Sequence, residues 1–282
     1  MIVRIAFIAS TIFFWAFLTS LPAGRALAAE EVPLEITADQ DLEWNRQEKL
    51  YIARGNAVAK QGSLSVKADT LTASYTEGNQ QGGANISLLT AEGHVEILSG
   101  TSKGTGDRAT YDLKTGKAIL TGKNLKVVDE SLTVTAQDRM EYYASEGKVV
   151  AVGSPVVKNG EDTLEADTVT AWLYQKGETP PSSAAKGNLK RAEAEGHVVI
   201  TTASEKSTSD KAVYIGEKNS AELIGNVKIN RGPNILEGAR AEMDLTAKVS
   251  RMFGEDGKPG RVKGVFFPGS EKDDTKNEQE AP

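Results

Sequence analysis

The chain has 282 residues, with 33 Lys+Arg against 39 Asp+Glu for a formal charge of −6, two His and no Cys. The absence of thiols excludes a disulfide scaffold, thiolate zinc, iron–sulfur clusters and a cysteine nucleophile, and the acidic balance argues against non-specific nucleic-acid binding, which needs a clustered basic surface. At 39% hydrophobic and 26% charged the composition is globular, and this length suits one long all-β domain as well as two average ones.

Met1 to Ala28 reads as an export leader. Arg4 supplies the positive charge, Ile5 to Leu21 is uncharged and largely apolar, and Pro22 and Gly24 break the helix. Ala26-Leu27-Ala28 then offers the small-x-small site that a signal peptidase prefers. An uncleaved anchor is the competing reading, because the apolar stretch lies at the lower limit for crossing a bilayer. With residues 1–28 removed, the expected product is a soluble exported protein, and no later segment approaches membrane-spanning length.

From there the chain repeats itself. A Gly followed by apolar residues at the second and fourth positions recurs at Gly55-Asn56-Ala57-Val58-Ala59, Gly93-His94-Val95-Glu96-Ile97, Gly196-His197-Val198-Val199-Ile200 and Gly225-Asn226-Val227-Lys228-Ile229, with looser versions at Gly122 and Gly153. Fourteen residues after most of these glycines stands an Asp: Asp69, Asp107, Asp167 and Asp210; Asp138 follows its glycine by 16, and Ala239 takes the place in the last copy. The chain enters mid-repeat, at Asp39. A turn-former, Gly78, Gly116, Gly147 or Asn219, usually comes nine residues after the Asp. Two intervals are lengthened by loop-like inserts, Glu77 to Ala84 and Lys176 to Gly187. The repeat runs from about Ile36 to Gly254.

Within each unit the apolar period is two, which belongs to strands. Each unit therefore predicts about three short strands joined by turns, apolar on one face and carrying Lys, Glu, Thr and Ser on the other. One unit cannot bury that face alone, whereas stacked units share a continuous interior. Many Ala and Thr at inward positions leave a slot between two sheets. The expectation is all-β: an elongated, twisted sandwich or partly open barrel of stacked antiparallel repeats with an apolar lumen. Arg261 to Phe267 is a further strand-like segment that closes the last unit or pairs with another molecule, and residues 269–282 are charged and predicted disordered.

Candidate chemistry fails on context. Gly100-Thr101-Ser102-Lys103-Gly104 has the form of a nucleophile elbow and Gly104-Thr105-Gly106-Asp107-Arg108-Ala109 that of a dinucleotide fingerprint, but both motifs require a helix where a strand follows. His94 and His197 hold equivalent places just after the repeat Gly and alternate outward, so they read as exposed strand residues and not as a metal pair. The repeated aspartates are single carboxylates one repeat apart, unlike a calcium loop, and read as caps for backbone N–H groups at a strand corner or bulge. No acid–base–nucleophile set, metal or cofactor is expected, and the reading is non-enzymatic.

The Gly-Asn/His-Val-x-Ile element, together with Gly106-Asp107-Arg108-Ala109-Thr110-Tyr111-Asp112 and its echo Gly238-Ala239-Arg240-Ala241-Glu242-Met243-Asp244, resembles the OstA-like domain family of periplasmic lipopolysaccharide-transport proteins. The resemblance covers roughly Pro33 to Pro268 and implies a single β-jellyroll over residues 29–268 whose apolar interior carries the acyl chains of lipopolysaccharide. It implies head-to-tail stacking of copies through terminal strands. It further implies an inner-membrane anchored jellyroll partner at one end and an outer-membrane β-barrel translocon at the other. The apolar alternation then gives lumen candidates Val95, Ile97, Leu132, Val134, Val198, Ile200, Val227 and Ile229, with plain core packing as the alternative for each. The two inserts and the charged tail are departures from a minimal member. The competing functions are the anchored inner-membrane partner of the same fold and an exported structural or adhesive β-solenoid with a filled interior.

Overall fold

The computed structural model describes residues 34–77, 84–175, 178, 188–247, 249–255 and 261–267. The leader, most of both inserts and the tail from Pro268 lie outside the described residues. The chain opens with β1 (Glu35–Thr37), β2 (Asp41–Asn45), β3 (Leu50–Gln61), β4 (Leu64–Glu77), β5 (Ala84–Ser99) and β6 (Ser102–Asp112). The middle holds β7 (Lys117–Thr121), β8 (Leu125–Asp129), β9 (Leu132–Ala136), β10 (Arg139–Tyr143), β11 (Lys148–Val152), β12 (Val156–Asn159), β13 (Asp162–Glu165) and β14 (Thr168–Leu173). It ends with β15 (Leu189–Thr201), β16 (Lys206–Ile215), β17 (Ser220–Arg231), β18 (Asn234–Asp244), β19 (Val249–Phe253) and β20 (Lys263–Val265).

All pairings are antiparallel, and the long strands show how the ladder is built. Between β4 and β5 the register jumps from Lys67↔Glu96 to Thr70↔Glu92, and the same jump recurs between Glu195 and Val198 and between Ile224 and Val227. The arms bend at this point, at the repeat Gly in one arm and at the repeat Asp, or at Ala239 in β18, in the next. The bends line up and fold the ladder into two walls. Wall I holds β2, β7, β10, β11, β14 and β19 with the Asp-side halves of the long strands; wall II holds β1, β8, β9, β12, β13 and β20 with the other halves. The unit is thus two arms and four segments, not the three short strands expected from the sequence: the Asp marks a bend within an arm and not the end of one.

The corner is written in residue chemistry. Gly93 and His94 have φ of +78° and +45°, Gly196 and His197 +78° and +46°, and Gly225 and Asn226 +76° and +48°. Two successive left-handed residues turn the arm sharply, a step that L side chains resist. Glycine is required at the first for a second reason. A Cβ on Gly93 would stand 2.1 Å from Asp69 Oδ2, and one on Gly196 2.1 Å from Asp167 Oδ2. The corner aspartates bond the side chain just after the neighbouring Gly, through Asn56 Nδ2 to Asp39 (2.9 Å) and Asn226 Nδ2 to Asp210 (2.8 Å). Asp107 instead accepts the backbone N–H of Lys123 at 2.9 Å.

Away from the corner each wall closes its own hairpins. In wall II two-residue turns carry a positive φ at the first central residue, Gly62, Gly100, Glu130, Gly160 or Gly232, the pattern that follows strand twist. In wall I the turns end on Lys49, Gly116, Gly147 or Asn219, again at positive φ. Asn45 and Asp112 start two of them by accepting backbone N–H groups, and Asp244 does the same in the turn that follows β18.

Between the walls lies the core. Wall I contributes mostly small inward residues, among them Ala91, Ala109, Ala151, Ala194, Ala212 and Ala241; wall II contributes Val95, Ile97, Leu132, Val198, Val227 and Ile229. Small against large is how facing layers interdigitate, and each large aliphatic so buried stabilises the fold by about 1.5–3 kcal/mol. The inner face is uncovered at the first edge, where Leu42 and Trp44 are 62% and 53% exposed. At the last edge Phe266 is 68% exposed.

Candidate functional site: an apolar cavity between the walls

The buried residues fall into two large clusters, one built on Val95, Ile97, Leu120 and Leu125 and the other on Leu164, Val198, Ile200 and Leu223; Val134 packs against both. A cavity of about 130 Å³ lies where they meet. Ile97, Val127, Leu132, Val134, Val157 and Leu164 line it from wall II. From wall I come Ala109, Leu120, Met140, Tyr142, Val149, Ala151, Val169 and Ala192. Alternation along β7, β10 and β11 points one side of wall I into this space, and the Ala residues there leave it unfilled.

All eight lumen candidates stand on wall II facing wall I. Ile97, Leu132 and Val134 line the cavity. Val95, Val198, Ile200, Val227 and Ile229 are buried in the flanking clusters, so their direct neighbours are other side chains. The wall I lining was not among the candidates. Its signal was present in the apolar second and fourth positions after each Asp, such as Ala109/Tyr111 and Met140/Tyr142.

Apart from Glu141 and Tyr142, every residue of the lining is apolar. Burial pushes the Tyr142 hydroxyl up to about 12, and it raises those of Tyr111 and Tyr214. The carboxylate of Glu141 belongs to the outer face of wall I, as β10 alternates. Burial opposes its charge, but hydrogen bonds from Tyr143, Arg139 and Lys117 prevail and hold its pKa near 2. Buried polar residues, by contrast, cluster elsewhere: Ser102, Asp129, Glu205, Ser207 and Ser209 all belong to wall II or its turns. Glu205 is met by Arg231 at 3.1 Å and by Ser207 Oγ at 3.0 Å.

The histidines are far from this chemistry. His94 and His197 point outward at the corner, each 91% exposed and 2.9 Å from its aspartate. No group of three or more His, Cys, Asp or Glu fit to hold a metal occurs among the described residues. No helix among them is long and apolar enough to cross a membrane.

An antiparallel ladder folded at a glycine–aspartate corner around an apolar interior is an OstA-like β-jellyroll. A model of the family described as "LptA/(LptD N-terminal domain) LPS transport protein" matches residues 35–148 and again 134–249. The chain belongs to this family of lipopolysaccharide-transport proteins. The two spans overlap at residues 134–148, and Val134, Met140 and Tyr142 of the cavity lie in the overlap. Among solved structures the chain is similar to LptH of Pseudomonas aeruginosa, described as the LptA homologous periplasmic component of the conserved lipopolysaccharide transport device. The identity is 19% and the TM-score 0.39, over 49% of this chain and 95% of that one. No curated protein matches the chain.

Proposed function

We propose that this chain is a periplasmic lipopolysaccharide-binding carrier that shelters acyl chains between its walls and bridges the inner and outer membranes during outer-membrane assembly. The observation that carries this reading is a cavity lined almost wholly by apolar residues from both walls, in a chain of a lipopolysaccharide-transport family. Sheltering acyl chain from water is favourable by about 0.8 kcal/mol per CH₂, so binding requires no chemical step. Acyl chains longer than the present cavity of about 130 Å³ accommodates require the walls to part. Each wall is hydrogen-bonded only within itself away from the corner, so parting them about the corner breaks no ladder bond.

The same reading assigns the partners. The uncovered inner face at Leu42 and Trp44 and the apolar Phe266 edge suit strand addition, to further copies head to tail, to an inner-membrane anchored jellyroll and to an outer-membrane barrel translocon. Residues 29–268 are the working jellyroll in this proposal, and the eight wall II candidates, joined by the wall I lining, form its lipid-contacting interior.

In-cell photocrosslinking tests it, with the probe at Leu132 or Ile200 and a control at outward-facing His197. A lipopolysaccharide adduct from the inner positions and none from His197 is the expected result. Folded, exported protein that gives no adduct from either inner position removes the carrier reading and leaves the structural solenoid.

A further inference from the structure

One buried polar atom beside the cavity has no partner. Asp129 ends β8, is 1% exposed, and receives Thr101 Oγ1 on Oδ1 at 2.6 Å, while Oδ2 is buried without a hydrogen bond. It is the only such side-chain atom among the described residues. Its direction follows from the ladder: Asp129 shares its face with Val127 two residues before it and pairs with Leu132, and both of those line the cavity. The hairpin that holds it is also unlike its neighbours. Glu130 takes φ +47° at a place where the sister turns use Gly62, Gly100, Gly160 and Gly232.

A buried acceptor left unpaired costs about 1–3 kcal/mol, and native structures rarely keep one without a use. The two lips of the slot differ in the same sense. Wall II carries the buried polar residues, whereas the turn end of wall I offers Ala144, Leu173 and Leu189. An amphiphile lying with its chains in the cavity therefore meets a polar lip on one side only.

We propose that Asp129 is the polar anchor of the slot, with Oδ2 accepting a hydrogen bond from a sugar hydroxyl on the head of an acylated saccharide. This rests on the carrier reading above and adds to it an orientation: head toward the wall II turns, chains toward the corner.

The test is calorimetric titration of the full chain with dodecyl maltoside and dodecylphosphocholine below their micelle concentrations. The two share an alkyl chain, and only the first has hydroxyl donors. The wild-type chain is expected to prefer the maltoside by about tenfold, the worth of one well-made hydrogen bond. Asp129→Ala, which removes the polar group, abolishes that preference and leaves phosphocholine binding unchanged; Asp129→Leu, an apolar side chain of similar length, likewise abolishes it. Equal wild-type affinity for both amphiphiles, or a preference that survives in either folded variant, overturns the anchor alone. Failure of the wild-type chain to bind either amphiphile overturns the carrier reading itself, and the anchor with it.

Discussion

His197 Nδ1 lies 2.9 Å from Asp167 Oδ2, and His94 stands in the same relation to Asp69 earlier in the chain. At the sister corners Asn56 and Asn226 make the equivalent bond. The histidine is thus a corner side chain that any short donor can replace. His197→Asn is expected to shift unfolding free energy by no more than about 0.5 kcal/mol, the range of a neutral surface change. Urea unfolding measures this, and a stability that responded to a metal chelator would show the histidines to have another task.

Glycine at the corner is a different matter. Gly196→Ala must hold a side chain at φ +78° and displace the Asp167 carboxylate from 2.1 Å. We expect a loss of about 2–4 kcal/mol, from strain and broken corner packing together. Gly100→Ala separates the two effects, since Gly100 has φ +57° and nothing within 4 Å of a Cβ. It should cost only about 1–2 kcal/mol, the strain alone. Equal losses in the two variants would mean that the close approach to Asp167 contributes nothing.

Glu141 binds a clamp across wall I. Its folded pKa of about 2 lies below the ordinary 4.5, so the unfolded chain takes up its proton first as pH falls. The resulting stabilisation is fully present above about pH 5.5 and is lost on acidification through 4.5 toward 2. Glu141→Gln is expected to lower stability by about 2 kcal/mol at neutral pH and to match wild type near pH 2. Parallel pH–stability curves for the two proteins would contradict the clamp.

Filling the cavity distinguishes a lumen from a core defect. Ala118 lines it from wall I and is buried. Ala118→Leu places added carbons in empty apolar space, so thermal stability should hold or rise, by up to about 1 kcal/mol. Amphiphile binding should fall at the same time. Unchanged binding would separate the cavity from the cargo path.

Much of the fold was legible because its corner is local. The interval from Gly93 to Asp107 and from Gly196 to Asp210, and the apolar alternation after each, reveal the arms without any long-range knowledge. The expected capping of backbone N–H groups by the aspartates holds at Asp107, through Lys123, whereas at Asp39, Asp69, Asp167 and Asp210 the partner is instead the side chain after the neighbouring Gly, which residue type alone does not reveal. Cavity lining was not legible. Ile97 and Ile200 have the same spacing from their glycines, yet only Ile97 lines the cavity, because that depends on what the opposite wall presents. The Glu141 clamp escaped notice for a related reason: Arg139 and Tyr143 flank it on its own strand, but Lys117 meets it only through the pairing of β7 with β10.

The corner also governs how such a chain can change length. Because Gly arms and Asp arms run in opposite senses between the walls, one inserted arm would put the next Gly opposite another Gly and leave its carboxylate missing. Only an arm pair preserves the alternation, and it adds about 10 Å of ladder, two strand spacings. Growth is therefore quantised, and the turn ends, where both inserts fall, are where single residues can be added. The two family matches overlap at residues 134–148, and Val134, which lies there, packs against both large core clusters, so the slot meets no boundary between the two matched spans.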